Sequence, residues 1–277
     1  MKSHKLSVES KTADKVGHLE NMLGKMGSAI VAYSGGVDST FLSVTAAAIL
    51  KNRVLIVLAK SPLMEAEEFQ AAKRLASSLK LKLAVIEFNQ LDIPDFAVNN
   101  KDRCYHCKLN MLGILNETAR ARHIRYVCDG TNYDDLGDFR PGLVAIAELG
   151  VRSPLAESFL TKLEIRSLAR KKGLPNWEKP AMPCLATRIP HRTRITHELI
   201  GKVSSGESFI RGLGAEHVRL RHHRDIARIE VDDKGFATLL KKDNRRAAVE
   251  ELKKLGYKHV TVDLAGYQMG SMSRLAI

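Results

Sequence analysis

The stretch YSGGVDSTF, residues 33–41, sets two glycines, a carboxylate and the three hydroxyls of Ser34, Ser39 and Thr40 directly behind the apolar run SAIVAY. Read as strand, tight turn and helix start, it aims the unsatisfied N–H groups of a helix N-terminus at one point, where they carry about half a positive charge. Gly35 and Gly36 let the backbone close around an anion, and Ser34, Ser39 and Thr40 add hydroxyl donors. The expected ligand is a chain of phosphates. Asp38 would repel it unaided, so a bridging Mg²⁺ is expected beside that carboxylate. The spacing of the Walker loop, G-x-x-x-x-G-K-[ST], is absent.

Two further stretches carry reactive groups. In DGTNYDDLGDFRPG, residues 129–142, the turn Gly130-Thr131-Asn132 can approach a nucleotide. Asp134 or Asp135 there can hold metal or cap the next helix, and Arg140 can meet a phosphate or simply face solvent. CYHC supplies Cys104 and Cys107, with Cys184 far downstream in PCLATR. Three thiolates, with or without His106, suit zinc or an iron–sulfur cluster; a redox disulfide or unrelated thiols are the other readings. Cys128, inside YVCDG, is expected in the core.

In HVRLRHH, alternation puts His217, Arg219 and Arg221 on one strand face and Val218 and Leu220 on the other. Two guanidiniums on one face make a clamp for phosphate or carboxylate, or else a solvated face. Arg188 and Arg192, beside Cys184, are further anion candidates. Glu207 is a candidate general base or metal ligand, with an ordinary surface glutamate as the alternative. Trp177 is expected in core or hinge packing.

These groups need a scaffold. SAIVAY (28–33), RVLIVLA (53–59), KLAVIEF (82–88) and IRYVCDG (124–130) are rich in β-branched residues and alternate with helical spacing, which predicts an α/β fold with a parallel sheet covered on both faces. Ligands of such sheets bind beyond the carboxyl ends of the strands, where the first stretch lies. Prolines crowd residues 173–196 and mark a boundary. The domains expected are 1–180, binding nucleotide, and 181–277, a small α+β domain for substrate binding or oligomerisation. The chain has 277 residues with 44 Lys and Arg against 31 Asp and Glu, a net +13 that suits an anionic partner or a solvated basic surface. Four cysteines in this length are no disulfide scaffold. With no apolar run of the roughly 20 residues a membrane helix needs, and a polar start, a soluble cytoplasmic protein with no membrane partner is expected.

The order S-G-G-x-D-S resembles the PP-loop signature of the ATP pyrophosphatases, which split ATP between its α and β phosphates. SGGVDST, RCYHCK, DGTNYDDLGDFRPG, LGVRSPLAE, LPNWEKPAMPCLATRIP and VRLRHH, in that order, extend the likeness from residue 15 to residue 265. Together they resemble the LarE-like sulfur transferases, which help build the nickel-pincer nucleotide cofactor of lactate racemase. The resemblance implies adenylylation of a carboxylate of pyridinium-3,5-biscarboxylate mononucleotide with release of pyrophosphate, then replacement of AMP by sulfur. Carried over, ATP would be bound by Ala32, Ser34, Gly35, Gly36, Asp38, Ser39, Thr40, Gly130, Thr131 and Asn132, with Mg²⁺ on Asp38. Substrate phosphate would fall to Arg188, Arg219 and Arg221, and catalysis to Asp38, Cys184 and Glu207. One branch of the family sacrifices the sulfur of a single cysteine matching Cys184; the other holds a 4Fe–4S cluster on cysteines matching Cys104, Cys107 and Cys184. This chain has all three, which points to the cluster branch, fed by a sulfide donor, with sacrificial Cys184 or zinc as alternatives. The family also implies a homo-oligomer. Rival readings are a tRNA thiolation enzyme, against which stands the lack of a separate RNA-binding module, and an amide-forming ligase using ammonia, which leaves the cysteines unexplained.

Overall fold

The computed structural model of the protein describes residues 2–137, 141–180 and 182–267, with side chains from residue 11 onward. Arg140, a candidate phosphate ligand, lies outside the described residues. In chain order the strands are β1 (Ala29–Tyr33), β2 (Val54–Lys60), β3 (Leu83–Glu87), β4 (Tyr126–Cys128), β5 (Val218–His223), β6 (Ile226–Val231) and β7 (His259–Val262). The helices of the first half are α1 (Lys2–Met26), α2 (Val37–Leu50), α3 (Ala66–Ser78), α4 (Pro94–Ala97) and α5 (Arg103–Ala121). The second half adds α6 (Pro141–Glu148), α7 (Pro154–Glu157), α8 (Lys162–Lys171), α9 (His197–Gly212), α10 (Asp233–Leu240) and α11 (Lys242–Lys254).

The chain divides into two compact units, residues 1–93 with 102–182, and residues 94–101 with 183–277. The first unit holds a parallel sheet of order β3-β2-β1-β4. Alternation along its strands feeds two cores. Ala29, Val31, Tyr33, Val54, Ile56 and Leu58 join the cluster that includes Leu19 and Leu23 of α1, Phe41 and Leu42 of α2 and Ile165 of α8. Ile30, Leu55 and Val57 join Leu112 and Leu115 of α5 and Ile146 of α6 on the opposite face. A strand buried on both sides has no use for polar residues, which is why β1 and β2 read as unbroken apolar runs. The strand order reverses between β1 and β4, so a crevice opens beyond their carboxyl ends, the usual ligand position in such sheets.

In the second unit β5 pairs antiparallel with β6, and β6 parallel with β7. Val218 and Leu220 form the apolar face on which α9 packs. A Cβ on Gly206 of α9 would stand 2.5 Å from Leu220 and 2.9 Å from Leu252 of α11, so glycine sets that close approach. Residues 94–101 join this unit through Asn99, buried at φ +66°. Its amide donates to Pro190 O (2.8 Å) and Thr193 O (3.0 Å), while its carbonyl accepts from Arg192 N (3.1 Å).

Candidate active site

The turn 34–36 is built by sterics as well as by hydrogen bonds. Gly35 sits at φ +76°, and a Cβ there would lie 2.7 Å from Ala72 Cβ, so any side chain would be strained and would collide. Gly36 caps α2 without a side-chain hydrogen bond, which leaves the first N–H groups of the helix facing the crevice. Ser34 and Ser39 share their hydroxyls at 3.1 Å, and Ser34 N donates to Ser39 Oγ at 3.2 Å. Ala32 belongs to β1 directly before the turn. Thr40, expected among the ATP ligands, is a strut instead. It is fully buried, its hydroxyl donates to Gly36 O (2.8 Å) and accepts from Asn176 Nδ2 (2.9 Å), and the same amide of Asn176 donates to Gly35 O (3.0 Å).

Asp38 lies on the first turn of α2. Its Oδ2 accepts from Lys162 Nζ at 2.5 Å, while its Oδ1 is buried with no hydrogen-bond partner among the described residues. Burial raises its pKa above the ordinary carboxylate value, Lys162 opposes the rise, and the charge of Asp135 adds to it. Lys162 was missed by sequence reasoning. It opens α8, whose N-terminus is fixed by a capping box between Thr161 and Glu164, and its backbone N–H donates to Asp134 Oδ2 (2.8 Å). The signal was present as TKLE ahead of a helical apolar pattern, although nothing in that pattern says where the lysine points. Asn132 Oδ1 accepts from the N–H groups of Asp134 (3.0 Å) and Asp135 (3.2 Å), and Asn132 N donates to Asp135 Oδ2 (3.1 Å). An orphaned hard oxygen on Asp38, with a second carboxylate close enough to shift it, is donor chemistry that fits Mg²⁺, which binds through one or two carboxylates plus substrate phosphates.

The second turn closes against the first. A Cβ on Gly130 would stand 3.0 Å from Ser39 N, so only glycine lets the segment after β4 approach the start of α2 this closely. Before it, buried Asp129 accepts from Thr131 Oγ1 (2.7 Å), Thr131 N (3.2 Å), Ser153 Oγ (2.8 Å) and Lys108 Nζ (3.0 Å). Sequence reasoning passed over Asp129 and Lys108.

Cys104 and Cys107 lie within α5, which begins earlier than the apolar spacing suggested, at Arg103. Cys104 is exposed and Cys107 half-buried, one turn apart on one helix. Cys184 is exposed in the second unit, just before a 3₁₀ turn, Leu185–Arg188. Cys128 is fully buried and its thiol is pushed up to about 12 by burial, which leaves it no part in sulfur or metal chemistry. Among the described residues no three His, Cys, Asp or Glu side chains stand together as a metal site. A gathered three-thiolate cradle is therefore not a feature of either unit as described.

In the second unit the expected clamp is occupied by acids. Arg188 is fully buried and forks onto Glu207, Nε to Oε1 at 2.8 Å and Nη2 to Oε2 at 3.1 Å. Arg221 forks onto Glu230 at 3.0 and 2.8 Å and donates to Thr187 O at 2.8 Å. Arg219 donates to Tyr267 Oη at 3.2 Å and lies over its ring. Arg188 and Arg221 are a buried scaffold, and β5 does not present the open strand face that alternation suggested, because both of its faces are covered. Glu207 is likewise no surface glutamate and no general base as it stands. Burial would raise its pKa, but Arg188 and the N–H of Leu220 (2.9 Å) hold it below the usual value, so the carboxylate is a weak base whose oxygens are already engaged. Arg188 also donates to Pro183 O (2.8 Å) and Cys184 O (3.3 Å), so the pair fixes the backbone that presents Cys184. Trp177 packs against the larger core of the first unit, with Arg170 over its ring.

Comparison with known proteins places this geometry in context. Residues 12–134 match the NAD synthase family model. An uncharacterized protein of Synechocystis is 37% identical over 94% of this chain and 97% of its own length. Pyridinium-3,5-bisthiocarboxylic acid mononucleotide synthase of Lactiplantibacillus plantarum is 36% identical over 88% of each chain. An uncharacterized protein of Methanocaldococcus jannaschii is 30% identical over 86% of this chain and 90% of its own length.

Proposed function

Because the chain belongs to the LarE-like family of PP-loop ATP pyrophosphatases, we propose that it is an ATP-dependent sulfur transferase acting on pyridinium-3,5-biscarboxylate mononucleotide, in nickel-pincer nucleotide synthesis. The observation that carries the reading is Asp38: a half-buried, half-neutralised carboxylate at an uncapped helix N-terminus, closed in by two glycine turns.

In this reading the N–H groups of α2 and the hydroxyls of Ser34 and Ser39 receive the β and γ phosphates of ATP. Mg²⁺ on Asp38 would supply positive charge to the departing pyrophosphate. Lys162, already within reach of Asp38, adds a mobile cation on the same side. A substrate carboxylate oxygen attacks the α phosphorus, the bond to the bridging oxygen breaks, and pyrophosphate leaves. The resulting acyl adenylate is open to a sulfur nucleophile, which displaces AMP and leaves a thiocarboxylate. We assign the sulfur side to Cys104, Cys107 and Cys184, as ligands of a 4Fe–4S cluster that would seat hydrosulfide for transfer. Exposure of all but Cys107, which is half-buried, supports that assignment over Cys128. For substrate phosphate we carry Arg219 forward, since Arg188 and Arg221 brace the Cys184 loop.

Anaerobic protein should hold about four irons per chain and, given ATP, the nucleotide acid and sulfide, should release pyrophosphate and form more than one thiocarboxylate per chain. No pyrophosphate with that acid would defeat the reading; one product per chain with loss of sulfur from Cys184 would replace the cluster by a sacrificial cysteine. The NAD synthase match favours a second reading, ammonia as nucleophile. Product formed with ammonia after alanine replaces all three cysteines would establish it.

A further inference from the structure

Asp129 is a buried carboxylate whose donors come from three separate parts of the first unit, and the phosphate chemistry above does not use it. Thr131 N and Oγ1 belong to the nucleotide turn, Ser153 precedes α7, and Lys108 belongs to α5. Lys108 follows Cys107 directly and stands four residues, one helical turn, beyond Cys104, so it shares a helix face with that thiol. Its stem runs over Gly142 of α6, where a Cβ would stand 3.1 Å from Lys108 Cδ. The path of the lysine is therefore cleared by one glycine and ended by one carboxylate.

We propose that Asp129 is a positioning residue that locks the rotational setting of the CYHC helix to the nucleotide turn through Lys108, so that sulfur delivery stays in register with the acyl adenylate. The inference rests on the sulfur-transfer reading. Long-range coupling of two half-reactions needs a shared rigid element, and a charge-assisted bond at 3.0 Å between a helix and a turn is one. Asparagine at 129 can still accept from Thr131 and Ser153 but no longer holds an ammonium by charge. The helix then drifts by a fraction of an ångström, enough to matter for a step that depends on near-attack geometry. Water takes the waiting adenylate instead, giving AMP and the original carboxylate.

The test compares D129N, K108M and the double variant with the wild-type full chain, supplied with ATP, the nucleotide acid and sulfide. The readout is thiocarboxylate formed per pyrophosphate released, a ratio that misfolded protein cannot shift. Each single variant should lower the ratio about tenfold, with the double variant no lower than the singles, because both remove one link. In the full chain with its iron removed by a chelator, the rate at which iodoacetamide alkylates Cys104 and Cys107, followed by peptide mass, should change alongside. K108R should restore most of the ratio. An unchanged ratio in D129N, or losses that multiply in the double variant, overturns the proposal. If the wild-type chain releases no pyrophosphate at all, the functional reading has failed, and the alkylation rates alone decide: unaltered rates in D129N and K108M overturn the link as well.

Discussion

Asp38 in the first unit and Glu207 in the second are both acids held by a long cationic side chain, and the two pairs are built to opposite ends. Glu207 spends both oxygens on Arg188 and a third bond on a backbone N–H, with both partners essentially without solvent exposure. Asp38 has Lys162 on one oxygen, the other oxygen without a hydrogen-bond partner among the described residues, and a lysine whose side chain is 34% exposed. A pair that is complete and buried stores its energy in shape. A pair that is incomplete and partly wet can exchange a partner, as the proposed binding of Mg²⁺ and phosphate requires. The same residue types thus serve as scaffold or as chemistry according to how many of their hydrogen bonds the fold has already satisfied.

The contrast can be broken at several points. Arg188→Ala leaves a carboxylate buried without its counter-charge and should cost about 3–5 kcal/mol in denaturant unfolding, while R188M/E207L should recover much of it. Asp38→Ala should lower pyrophosphate release about a hundredfold to a thousandfold with little change in the unfolding midpoint, which reverses the signature of Arg188→Ala. Lys162→Met should slow the same step about tenfold to a hundredfold, again at near-normal stability. Glu207 gives a pH test. Its folded pKa lies below the unfolded 4.5, so its contribution is fully present above the unfolded value and fades as pH falls through the folded one. The stability gap between wild type and E207Q should accordingly be constant at neutral pH and close in acid. The smallest effect belongs to Lys15→Ala, which removes the 2.8 Å partner of Glu164 and should cost under about 1 kcal/mol, since the pair is partly solvated.

How far the sequence carried can be judged from particular residues. The four parallel strands stood where unbroken apolar runs put them, and α2 begins at Val37 as the glycine turn required. Its polar surface hid α1, and α8, which delivers Lys162, went unnoticed, because helices at the rim of an α/β unit show only a narrow apolar stripe. CYHC was legible as a pair of thiols, yet its place inside α5 was not, since the helical spacing there starts only at the following leucine. Glycines were legible in kind: Gly35 as part of a tight turn, Gly130 as part of a turn able to approach a nucleotide. Ser39 as the atom approached was not.

By itself the sequence determined the sheet, the glycine turn after β1 and the family, because each is written in residues adjacent along the chain, where backbone geometry leaves few choices. Tertiary structure alone decided that Arg188, Arg221 and Glu207 are neutralised struts, that Thr40 faces inward, and that Lys162 meets Asp38 across 124 positions. Whether a charged side chain binds a ligand or braces a loop depends on which distant group reaches it first, and periodicity contains no record of that distance.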